Sequence, residues 1–262
     1  MALGLSQHHI TGFVVKSEPR FFYILNAYYE CKNAKTVYCS IQFYYNFCMK
    51  IYHGSKVIVR NPKPFGSSDD NDYGPAFYAT IDLKSAHEWA CRKNNIGIVN
   101  VYDFDLGGLN VLNLTDTSKY SVLNWVAILL HFRTLDYSFK RDFSKRLVFL
   151  DENYYIDVTE YDLVIGPRAD DAYFRFPLDF VRGNLTLDQL DYAYSLGDLG
   201  YQYVLMSEKA FRHLKFKEAF ESEQKYIDSY YENVKRATND FNILNKDEDG
   251  IRIQDIMKGT HK

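Results

Sequence analysis

The chain has 262 residues, is 47% apolar and carries a formal charge of -3. That length and apolar share suit one large domain with appendages, or two small ones, with enough material for a buried core. The mild acidity excludes a general attraction to nucleic acid or anionic lipid, while leaving room for a local basic patch.

In chain order, residues 1–48 stand apart. They hold Cys31, Cys39 and Cys48, many aromatics and no aspartate, and their apolar residues follow neither a strand nor a helix period. Met49 follows, and MKIYHGS reads as a natural start. The change in pattern predicts an N-terminal extension over 1–48 that lies outside the native start; an extra hairpin packed on the domain is the alternative. With Cys91, the four cysteines form no CxxC pair and no zinc spacing with histidine. They read as reduced thiols, and with no secretory leader in the first residues the expected compartment is the cytoplasm.

From Met49 the chain becomes regular. KIYHGSKVIV (50–59) reads as a strand, 61–75 as a Pro/Gly/Ser/Asp-rich loop, and AFYATI (76–81) as a second strand. DLKSAHEWACRKN (82–94) predicts a helix capped by Asp82. GIVNVYDFDL (97–106) alternates as a strand, and SKYSVLNWVAILLHFR (118–133) reads as a buried helix, its apolar run too short to span a bilayer. YDLVIGP (161–167) predicts a strand, NLTLDQLDYAYSL (184–196) a helix capped by Asn184, and YQYVLMS (201–207) a strand. From 217 to 262 the charge density predicts a helical tail, exposed or partner-binding. Irregular alternation of strands and helices favours an α+β fold.

Phosphate-loop, zinc-helix and nucleophile-elbow motifs are absent. What remains is polar residues at odd places in three short strands: Tyr52-His53-Gly54-Ser55, Tyr78 within GPAFYAT, and Gln202 opening QYVLMSE. Taken singly, His53 reads as a satisfied core histidine, Tyr78 as a sheet aromatic and Gln202 as an edge residue. His87 and His131, both in predicted helices, read as structural.

In order along the chain, KIYHGS, GPAFYAT, SAHEWA (85–90), VIGPRADD (164–171) and QYVLMSEKA (202–210) resemble a bacterial domain-of-unknown-function family grouped with the ADP-ribosyltransferase superfamily, in its H-Y-E, diphtheria-toxin-like and PARP-like branch. The resemblance covers about 49–216. It implies a split β-sheet core of mainly antiparallel strands with flanking helices, and NAD as substrate with no metal. It places His53 on the cofactor, Gly54 on the nicotinamide amide through its backbone, Ser55 beside them, and Tyr78 stacked on the nicotinamide ring. Gln202 stands where that branch has its catalytic glutamate, which implies mono-ADP-ribosylation without chain elongation. GPAFY departs from the usual GxGFY.

Arg168 reads as a phosphate ligand, with Arg60 and Lys63 as weaker candidates. Asp170 and Asp171 form either a solvated turn or an acceptor rim. Glu208 is an even step from Gln202, but about 20 Å away on a straight strand, and more simply starts a helix. The expected activity is a mono-ADP-ribosyltransferase, of the kind found as toxins or toxin–antitoxin components, acting on a protein, nucleic acid or small molecule, with an antitoxin or other partner on the tail and no membrane. The alternative is an inactive nucleotide-binding or protein-interaction module of the same fold.

Overall fold

The computed structural model describes residues 48–64, 66–91, 95–169, 173–196, 200–244 and 249–259. The chain divides into two units, Met1–Phe47 and Cys48–Lys262, and only the second is described. The expectation of an extension over 1–48 falls, apart from Cys48, outside the described residues, as do Asp170 and Asp171.

The second unit is α+β, built on two sheets with flanking helices. Strands β1 (Cys48–Ser55), β3 (Ile98–Asp105) and β7 (Leu214–Glu221) form an antiparallel sheet in the order β1-β3-β7. Strands β2 (Phe77–Ala79), β6 (Tyr201–Leu205), β5 (Leu163–Pro167) and β4 (Val111–Asn113) form a mixed sheet in the order β2-β6-β5-β4, with only β4 and β5 parallel.

The period-2 pattern of the strands decides what lies on each face. Ile51, Tyr102 and Phe104 of the first sheet meet Phe77, Leu163, Ile165, Tyr203 and Leu205 of the second in one apolar layer. The other face of the mixed sheet, with Tyr78, Val164 and Val204, is covered by the larger core. That core draws on α2 (Val122–Phe132), which holds Trp125, Ile128 and Leu129 almost wholly buried, and on α5 (Arg175–Arg182) and α6 (Leu187–Leu196). Between α2 and α5 come α3 (Tyr137–Asp142) and α4 (Ser144–Tyr154). Helix α1 (Leu83–Ala90) starts at Asp82, whose carboxylate accepts from the Ser85 N–H at 2.8 Å, and lays Ala86 and Ala90 against Val99 and Tyr52.

Several elements differ from the sequence reading. The first strand ends at Ser55 and does not reach Val59. Buried Asn100 captures the following loop, accepting from Val59 N–H at 2.7 Å and donating to Val57 O at 3.3 Å, so Val57 and Ile58 are left exposed. Thr186, not Asn184, caps α6: its hydroxyl accepts from Gln189 N–H while the Gln189 amide accepts from Thr186 N–H. The expected charged helix from 217 is corrected in two ways. Residues 217–221 belong to β7, an edge strand on which charge is tolerated because one face meets water. The helix that follows, α8 (Lys225–Ile243), is docked and buries Ile227, Ala237 and Phe241. Glu88 of α1 fixes it by accepting from Ser229 Oγ at 2.6 Å and Asn233 Nδ2 at 3.2 Å. Two further short helices among the described residues are α7 (Glu208–Arg212), before β7, and α9 (Ile253–Lys258), after α8. Among the described residues no helix is long and apolar enough to cross a membrane, and no group of three or more His, Cys, Asp or Glu is placed to hold a metal ion.

Candidate functional site

Beyond their shared apolar layer, the two sheets are joined among the described residues by a backbone bridge between Tyr52 and Thr80. Tyr52 N–H donates to Thr80 O at 2.7 Å and Thr80 N–H donates to Tyr52 O at 2.9 Å. Backbone groups two residues apart on a strand point the same way, so the N–H and C=O of Gly54 turn toward β2 and away from β3. Among the described residues Gly54 makes no backbone hydrogen bond outside the β1–β3 ladder. Past the bridge the pairing of β1 with β2 stops, and the Gly54 N–H and C=O form an unused donor–acceptor pair on that edge.

Gly54 is a glycine for a packing reason. A Cβ there would lie 2.2 Å from Ala86 O, 2.6 Å from Ala90 N and 2.8 Å from Trp89 Cβ. The missing side chain makes room for the backbone of α1, not for a ligand.

Tyr78 and Gln202 lie on the face of the mixed sheet that the helices cover. Tyr78 is anchored at its hydroxyl, which donates to Gly74 O at 2.5 Å and accepts from Tyr73 N–H at 3.2 Å. Burial pushes that phenol far above its ordinary range, so it stays protonated. Gln202 is 4% exposed, and its Nε2 donates to Asp72 Oδ2 at 2.8 Å.

His53 belongs to the opposite face of β1, its ring 4.5 Å from that of Phe77. It reaches the β2 backbone through Nδ1, 2.7 Å from Tyr78 O. A carbonyl accepts, so Nδ1 carries the proton, and burial lowers the pKa toward the neutral ring. Nε2 is then an acceptor. The structure thus brings His53, Gly54, Tyr78 and Gln202 to one junction, with His53 holding the Tyr78 backbone from behind.

Apart from Arg168, whose guanidinium acts on Asp72 beside Gln202, the remaining candidates scatter. Ser55 Oγ donates to Val57 O at 2.6 Å and accepts from Asn100 Nδ2 at 3.0 Å, which commits it to the loop. Arg168, 6% exposed, stacks its guanidinium 4.9 Å above the Trp89 ring of α1. Arg60 lies over Phe216 of β7 at 5.0 Å, Lys63 is exposed, and no described contact ties either to Gln202 or Gly54. Glu208 opens α7, exposed, behind the Ser207 cap. His87 is structural: Nδ1 lies 2.8 Å from Ser222 Oγ, and its ring stacks on Tyr226 at 4.2 Å.

Residues 49–216 match the family described as "Protein of unknown function (DUF3990)". The chain belongs to that family. No curated protein matches it, and no solved structure does. The DUF3990 region contains every residue named in the junction, from His53 to Gln202.

Three members of the site escaped the sequence reading. Asp72, 6% exposed, accepts from Gln202 Nε2 and from Ala169 N–H at 2.9 Å, and Arg133 Nη1 lies 3.6 Å from its other oxygen. Burial raises its pKa, opposed by the Ala169 N–H and by the Arg133 and Arg168 guanidiniums. Its neighbours Asp69, Asp70 and Asn71 made it look like loop filler. Asn100, wholly buried, and Trp89, which receives Arg168, were the others. A lone Asn inside the apolar run of β3 was the one available signal.

Proposed function

We propose that this DUF3990 member is an NAD-dependent mono-ADP-ribosyltransferase with the ADP-ribosyltransferase-like fold. The observation that carries the reading is the end of strand pairing beyond the Tyr52–Thr80 bridge, which leaves the backbone edge of Gly54 unpaired beside β2, the strand that holds Tyr78. Gly54 N–H and C=O suit the carboxamide of nicotinamide as a donor–acceptor pair. The Tyr78 ring, held at its hydroxyl and its carbonyl, offers a fixed apolar platform for a cationic ring. Arg168 is the candidate for the diphosphate.

The reaction breaks the bond between ribose C1′ and the pyridinium nitrogen. That electron pair leaves with nicotinamide, which becomes neutral. C1′ passes through oxocarbenium character and bonds to an acceptor nucleophile, which loses its proton. Gln202 contributes an acceptor to a ribose hydroxyl and no charge. A cytoplasmic setting, a toxin–antitoxin role and a partner docked on α8 belong to the same proposal, as does an acceptor that is a protein, a nucleic acid or a small molecule.

Incubation of the full chain with radiolabelled NAD and bacterial lysate, beside Tyr78→Ala, tests it. Label transferred by the parent and lost in the folded variant is the expected result. Free nicotinamide with no transferred label would point to NAD hydrolysis or to an acceptor missing from the lysate. A second reading, an inactive nucleotide-binding module, draws on one observation: Gln202 is uncharged, buried and already bonded to Asp72. NAD binding with no turnover in any fraction would favour it and overturn the transferase.

A further inference from the structure

A side-chain amide has two ends of similar shape and opposite hydrogen-bonding sense. The buried Asp72 carboxylate admits only one of them. Facing Gln202 Oε1 it would set acceptor against acceptor; facing Nε2 it makes a bond of 2.8 Å. Oε1 is the end left over, and among the described residues it makes no hydrogen bond.

We propose that Asp72 is the positioning residue of the site, turning the Gln202 amide so that Oε1 is presented as a fixed acceptor to a hydroxyl-bearing ligand. In the transferase reading, on which the ligand's identity as the NAD ribose rests, that hydroxyl belongs to the sugar.

The geometry around Asp72 supports this role. The residue ties together elements far apart in the chain: the loop before β2, Ala169 just past β5, Gln202 at the start of β6, and Arg133 at the end of α2. Asp72 is not a stand-in for the missing catalytic carboxylate. Two guanidiniums, Arg133 and Arg168, act on this one acid, so the cluster is not a negative centre for an oxocarbenium. What it supplies is direction. One oxygen, Oδ2, accepts both the Gln202 and the Ala169 N–H, and the single carbonyl oxygen of an asparagine can do the same.

The test measures nicotinamide release from NAD by the full chain and by Asp72→Ala and Asp72→Asn, with thermal unfolding of each. It also follows hydrogen exchange of the Gln202 side-chain amide by ¹⁵N NMR. Asp72→Ala is expected to lose about 10²-fold in kcat, the scale of a misplaced group. Its Gln202 amide should exchange faster, and Asp72→Asn should recover most of both losses. Equal inactivity of folded Asp72→Ala and Asp72→Asn would show that charge matters and overturn the proposal. So would an unchanged amide exchange in Asp72→Ala.

Gln202→Glu covers the case in which Asp72→Ala does not fold. It sets two carboxyls against each other, so activity should fall at neutral pH and recover as the pair takes up a shared proton in acid. Activity raised above the parent at neutral pH would overturn the positioning role. If the parent releases no nicotinamide, the transferase reading falls alone. Amide protection in the parent and Asp72→Asn but not in Asp72→Ala would then still support positioning, and equal exchange in all three would refute it.

Discussion

Gly54→Ala is the sharpest test of how this junction is built. The added carbon would lie 2.2 Å from Ala86 O, 2.6 Å from Ala90 N and 2.8 Å from Trp89 Cβ. Two of these atoms are helix backbone and cannot rotate away, so α1 itself must lift. Moving α1 loosens Ala86 and Ala90 from Val99 and strains the Glu88 link to α8. Overpacking of this kind costs about 3 kcal/mol, the upper part of its usual range. For a unit of this size that corresponds to a fall in Tm of roughly 6–12 °C. Urea unfolding of Gly54→Ala beside the parent, without any ligand, measures it. A loss below about 0.5 kcal/mol, the level of an ordinary surface change, would refute the packing argument. The glycine would then be spare room for a ligand.

Three further outcomes follow from the same contacts. His53 has its pKa lowered by burial from 6.5, so the unfolded chain binds the extra proton and stability falls as pH drops below that value; unfolding between about pH 7.5 and about pH 5, roughly the span of an ordinary His titration, should show a smaller loss for His53→Gln, which can still donate to Tyr78 O. Asn100→Ala removes the buried anchor of the loop after β1 and should cost about 3 kcal/mol, with faster proteolysis near Val57, by the scale of stranded buried polar groups. Glu88→Ala should release α8, seen as faster amide exchange over 225–243 with little change in β3, because Ser229 and Asn233 lose their acceptor.

Local signals served well where one short stretch fixes an element. Asp82, Ala86 and Ala90 sit within nine residues, and they specify the cap and the buried face of α1 without outside help. The apolar run of α2 is equally self-contained. β7 was missed because its residues answer to a neighbour. Lys217 pairs with Asp103 of β3 at 3.1 Å, and an edge strand carrying Lys, Glu and Phe has no period that separates it from a charged helix. The end of β1 was misplaced for a related reason. Val57, Ile58 and Val59 have strand propensity, but the Asn100 side chain, 41 residues from Val59, takes the loop's backbone groups in place of a ladder.

The site divides along the same line. His53, Gly54, Tyr78 and Gln202 were visible because each is an odd residue in a recognisable strand. Their physical duties were not, because those duties are set by partners remote in sequence. Gly54 answers to α1, His53 to a carbonyl 25 residues on, and Gln202 to a carboxylate 130 residues back. Asp72 is the instructive case. Read alone, it is one acid in a run of turn-forming residues; folded, it is buried among Gln202, Ala169 and Arg133, at a desolvation cost that those bonds and the Arg168 guanidinium offset. A chain that needed only a turn before β2 could leave that carboxylate in water. Burying it against Gln202 gives a neutral amide a defined orientation, which a charged glutamate at the same position could not take from the same partner.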